Sequence, residues 1–127
     1  MSAWHELKGN FGDFERTQDR IVTNSAATGA DWRRTLINLR RQLQDSLVGM
    51  RAALRACEVA GADAALCRDF ASALSEMRSA LALHQAQWPA VAIDTADANY
   101  QRSLQDLLRS ESGFRDTAHD LIEKLKS

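Results

Sequence analysis

Residues 36–70 read LINLRRQLQDSLVGMRAALRACEVAGADAALCRDF. Leu36, Leu43, Met50 and Cys57 recur every seven residues in this stretch, with Leu47 and Leu54 interleaved. Alternating steps of three and four residues fall on one stripe of an α-helix, because 3.6 residues make a turn. The glycine at Gly61 breaks the pattern, and a second ladder follows. It comprises Phe70, Met77 and His84, with Cys67, Leu74, Leu81 and Trp88 interleaved. A third contains Ile93, Tyr100, Leu107, Phe114 and Leu121, with Leu104, Ala118 and Leu125 between them. Each ladder specifies a long helix that buries one seam against its neighbours.

The expected fold is all-α: an antiparallel bundle of three long helices plus a shorter N-terminal helix, up-down in topology, with coiled-coil-like heptad packing. Residues 1–127 are read as one domain, with residues 1–30 as an N-terminal arm or helix. Composition agrees. Pro89 is the only proline, glycine is sparse, and alanine, leucine, arginine and glutamine are abundant helix formers. No run alternates β-branched or aromatic residues with polar ones, so no strand is expected.

The net charge of −1 gives no indication of nucleic-acid binding. No apolar stretch is long enough to span a bilayer. The start, Met1-Ser2-Ala3-Trp4-His5-Glu6, lacks the basic and apolar regions of a secretory signal. A cytoplasmic protein with reduced thiols is therefore expected. Arginine strongly outnumbers lysine, which resembles a bacterial coding bias.

Boundaries follow from caps and breakers. Gly9 and Gly12 weaken the helical spacing of Trp4, Leu7, Phe11, Phe14 and Ile21, so the first helix is expected from about Phe11 to Val22. Residues 23–29 read as a loop. Asp31 is the expected N-cap of the second helix, which stops near Ala60 before Gly61. Asp63 caps the third, which ends at Gln87 or Trp88 because Pro89 disfavours helix before it. Pro89 or Asp94 starts the last helix, which runs to about Lys126, with Gly113 as a kink or second start.

Short turns make neighbours antiparallel. Cys57 then faces the level of Cys67, and Arg40 that of His84. On the same count the last helix outruns the Gly61 turn. Leu121, Ile122 and Leu125 project unless residues 1–10 fold back over them or Gly113 bends the end inward. A projecting apolar end calls for a partner.

The string His5-Glu6-Leu7-Lys8-Gly9-Asn10-Phe11-Gly12 resembles the phosphoacceptor motif of histidine phosphotransfer domains, a histidine followed by a leucine or isoleucine, a lysine and a glycine. The resemblance implies a four-helix bundle with His5 as phosphoacceptor and Lys8 as its electrostatic helper. It covers eight residues, and only four precede His5, where the family has a whole helix.

The remaining polar residues read mostly as structural. Cys57 and Cys67 span the Gly61 turn and are either two small buried hydrophobes or a disulfide pair. No zinc-ligand spacing surrounds them. His84 and Glu111 lie on seams, at opposite ends of the bundle, which argues against an acid–base pair in the core. Arg68 or Arg115 is the expected partner of Glu111. His119 and Glu123 share a helix face, without a second histidine to complete a metal site. Residues 31–60 carry six basic and three acidic side chains, and residues 90–127 carry five and seven. Asp94 and Asp97 are therefore expected near Arg33 and Arg34.

No nucleophile–base constellation, phosphate-cradling loop or cofactor motif emerges, so no enzyme, cofactor or metal is expected. The expected function is protein–protein interaction through helix surfaces, as a bacterial adaptor, secretion-type chaperone or inhibitor. The expected partner is another protein, a homodimer included, with no nucleic acid and no membrane. The expected partner-binding residues are Phe114, Leu121, Ile122 and Leu125, with Trp4 and Phe11 of the N-terminal arm. The alternatives are phosphotransfer through His5 and a ligand-sensing bundle around His84, Tyr100 and the tryptophans.

Overall fold

The computed structural model describes residues 2–25, 31–94 and 97–126. The chain forms four helices packed against one another: α1 (Ala3–Ser25), α2 (Trp32–Val59), α3 (Ala64–Gln87) and α4 (Ala98–Leu125). A single 3-10 turn, Ala90–Ala92, precedes α4. No strand occurs among the described residues. The three ladders form the buried faces of α2, α3 and α4, as their spacing predicts.

Local chemistry sets the helix ends. The Ser2 hydroxyl accepts from the His5 N–H at 3.2 Å, satisfying a free donor of the first turn of α1. Helix α1 therefore begins eight residues before the expected Phe11 and extends to Ser25. Its two glycines cost about 1 kcal/mol each relative to alanine. Burial of Leu7, Phe11 and Phe14 outweighs that, at about 1.5–3 kcal/mol per side chain. Asp31 marks the start of α2, but its carboxylate caps nothing. Gly61, at φ +94°, closes α2 with the paired bonds of a Schellman motif, Ala62 N–H to Cys57 and Gly61 N–H to Glu58. Asp63 caps α3 through the Leu66 N–H at 3.0 Å. Helix α4 starts neither at Pro89 nor at Asp94. Asp97 is its cap and accepts from Asn99 N–H at 2.7 Å. Gly113 does not restart this helix, which is continuous from Ala98 to Leu125.

Consecutive helices run antiparallel. Asn24 meets the start of α2 by donating to the Trp32 carbonyl, while Asn10, near the other end of α1, meets Gly49. His84 pairs with Ser103, and Phe70 with Phe114, along α3 and α4. Trp4 meets Ile122, and Asp19 meets Arg115, along α1 and α4.

Spacing between the helices is uneven. Helices α1 and α2 lie closest, because Ser46, Gly49 and Ala53 present almost no bulk. Asn10 occupies the place where a Cβ on Gly49 would stand. The α1–α4 seam is wider and is filled by rings. Phe114 meets Phe14 edge-on at 5.4 Å, Phe11 at 5.9 Å and Phe70 at 6.3 Å between centroids.

Candidate functional site

The expected docking end of α4 is not a surface. Phe114, Leu121, Ile122 and Leu125 are all buried, as is Phe11. The reason is the early start of α1, whose first turns lie over the end of α4. Trp4, half-buried, donates from Nε1 to the Ile122 carbonyl at 2.7 Å. That carbonyl belongs to the last turn of α4. Lys8 and Lys126 stand 5.2 and 5.5 Å from the Trp4 ring. These residues are brought together, but as a closed core end.

His5 is exposed on the first turn of α1. Its Nδ1 shares a 2.5 Å hydrogen bond with the Ser2 hydroxyl, and its ring meets Trp4 edge-on. Lys8 lies against Trp4. An exposed imidazole is thus present, and the nearest charge-bearing side chain of the motif is engaged elsewhere.

At the opposite end His84 is buried and shares a 2.9 Å hydrogen bond with Ser103 through Nδ1. Burial, with the Arg40 guanidinium nearby, pushes its pKa down to about 4. Arg40 reaches that level as expected and donates to the Trp88 carbonyl at 2.7 Å. Burial also lowers the Arg40 pKa and raises that of Tyr100. Tyr100 packs against Trp88 and His84. Of the tryptophans only Trp88 joins this cluster. Trp4 is at the far end, and Trp32 lies under Arg33 at 4.8 Å.

Arg115 organises the polar contacts between α1 and α4. It binds Glu111 at 2.7 Å and Asp19 at 2.7 Å, with Glu15 at 3.7 Å. Glu111 is almost fully buried, and desolvation raises its pKa against the opposing hydrogen bond of Arg115. Burial opposes the Arg115 charge, but its bonds to Asp19 and Glu111 prevail and raise its pKa. His119 binds Glu15 at 3.1 Å, not Glu123. Among the described residues no three metal-ligating side chains converge. Cys57 and Cys67 are free thiols, both buried, and burial raises both pKa values. Arg33 donates to the Ile93 carbonyl at 2.8 Å, which places it beside Asp94 as the matched levels predict, while Asp97 serves as the α4 cap.

One side of the bundle differs from the rest. The exposed large apolar residues among the described ones are Ile37, Val48, Val59, Leu83 and Val91. They lie on α2, α3 and the 3-10 turn, with none on α1 or α4. Ile37, Val48 and Val59 are spaced by 11 residues, three turns of helix, and so form one line along α2. Arg41 and Arg55 fall on the same line. Between α2 and α3 runs a groove with clefts of about 340, 240 and 360 Å³, which the line reaches at Arg55 and Val59; clefts of about 370 and 650 Å³ lie on the α1–α2 side. Small α3 residues, Ala71, Ser75, Ser79 and Ala82, leave the α2–α3 groove open. Arg51, Arg55 and Arg78 line it, and among the described residues none of them makes an ion pair. The 11-residue spacing is present in the sequence, but it lies off the core ladders, so the periodicity of burial does not reveal it.

No protein-family model, curated protein or solved structure matches the chain. The line on α2 offers aliphatic side chains interleaved with guanidinium groups, unpaired among the described residues, along one helical face.

Proposed function

We propose that the chain is a non-enzymatic protein-interaction module that binds its partner through the α2–α3 side of the bundle. The observation that supports this is the line of Ile37, Val48 and Val59 on α2, with Leu83 on α3, on a molecule whose α1 and α4 expose no large apolar residue. Single exposed aliphatics are ordinary; a periodic set on one face interleaved with arginine is a contact surface. Arginine and aliphatic contacts suit a protein partner. The adaptor, chaperone and inhibitor roles all use such a face.

Position-resolved photo-crosslinking tests the proposal. A photoreactive residue at Val48 or Leu83 should give a discrete adduct in cells, and one at Gln105 or Asp116 on α4 should give none. Adducts absent from every position, or equal at all of them, would overturn it. Phosphotransfer through His5 is the second reading, favoured by the exposure of the imidazole. It predicts an acid-labile phosphoryl group that is lost in His5→Gln.

A further inference from the structure

Resting on that reading, we infer that the α2–α3 groove receives one acidic amphipathic helix from the partner. The groove follows α2 from Leu43 to Val59, which at 1.5 Å per residue is about 24 Å, or four to five turns of a docked helix. Leu43, Leu47, Leu54, Leu74 and Leu81 underlie it but are almost fully buried, so its exposed apolar lining is Ala71, Ala82 and Val59. Small side chains on α3 keep the walls low enough for a helix to approach.

Charge selects the occupant. Arg51 on α2 and Arg78 on α3 line the same cleft from opposite walls, and Ser75 lines it with them. Arg55 extends the positive rim toward Val59. Among the described lining residues the single carboxylate is Glu58, confined to the Gly61 end. Helix α2 carries six arginines against Asp45 and Glu58. A helix with aliphatic residues on its inner stripe and carboxylates along both flanks would lie over Ala71, Ala82 and Val59 and pair both walls. The guanidinium fork favours carboxylate partners.

The test is fluorescence anisotropy on the full chain. Its probe is a synthetic helix-forming peptide of about 16 residues with a leucine stripe flanked by glutamates, long enough to span the groove. A lysine-flanked twin serves as control. The glutamate peptide should bind. Arg51→Glu with Arg78→Glu should weaken it about tenfold or more, and should reverse the preference toward the lysine twin. Ser75→Trp should block both peptides by filling the cleft, with an unchanged melting temperature. Failure of the glutamate peptide to bind, or binding indifferent to the two arginines, overturns the inference. So does stronger arginine-dependent binding of a single-stranded RNA 16-mer or of phosphatidylserine vesicles. So does a concentration-dependent dimer dissolved by the same variants. Crosslinks from Val48 and Leu83 that persist while the peptide fails would retain the interaction function and reject only this occupant.

Discussion

Trp4 and Ile122 are separated by 118 positions and joined by a 2.7 Å hydrogen bond from indole to main-chain carbonyl. The bond fastens the first turn of α1 to the last turn of α4. It also explains why the apolar end of α4 is shielded. Trp4→Phe keeps most of the packing and loses the bond, at a cost of about 1 kcal/mol. Trp4→Ala loses both and should cost about 3 kcal/mol. Urea denaturation measures each, and a Trp4→Phe variant as stable as the parent would show that the bond contributes nothing.

His84 makes stability depend on pH in one direction. Its folded pKa of about 4 lies below the usual 6.5. As pH falls from 6.5, the unfolded chain takes up the proton first, so the fold loses stability until pH 4. The full effect is about 3 kcal/mol. Glu111, with its raised pKa, acts oppositely and favours the fold as pH falls through its own range. The comparison is therefore between the parent and His84→Gln, whose stability should fall less over pH 6.5 to 4.

Gln18 is almost fully buried, and neither its amide nitrogen nor its carbonyl oxygen has a hydrogen-bond partner. An unpaired buried amide costs about 1–3 kcal/mol. Gln18→Met, of similar length, should stabilise the bundle by an amount in that range. A fall in melting temperature would contradict it.

Arg115 and Glu111 should be strongly non-additive. Arg115→Met leaves the Glu111 charge buried and should cost about 3 kcal/mol. Adding Glu111→Leu removes that charge, and the double variant should regain most of the loss. A double-mutant cycle by chemical denaturation reads the coupling. Additive costs would mean that solvent reaches Glu111.

The core was legible in the sequence because periodicity reports burial directly. Leu36 through Leu125 fall on the buried faces where their spacing places them. The pairing of Glu111 with Arg115 was legible for a similar reason, since four residues make one turn. The beginning of α1 was not. Gly9 and Gly12 argue locally against helix, and only the contacts of Leu7 and Phe11 with distant residues reverse that. The misplaced docking end follows from the same error, because a helix starting at Phe11 would leave Leu121 and Leu125 uncovered. The start of α4 was misplaced at Pro89 or Asp94, because the 3-10 turn at Ala90–Ala92 intervenes and the cap is Asp97. The α2–α3 groove depends on how far apart two backbones stand, and no single-helix pattern carries that distance.

The uneven spacing of the helices divides the molecule mechanically. Helices α1 and α2 form one close pair, and α3 with α4 forms another; the α2–α3 and α1–α4 seams between the pairs are looser. The protein is thus two leaves. On one side they share the Gly61 turn, and on the other they are clasped by Trp4 and Arg115. A ligand wedged between α2 and α3 would load that clasp from behind. The ionic bonds of Arg115, weakened by salt, would then set how far the leaves can part.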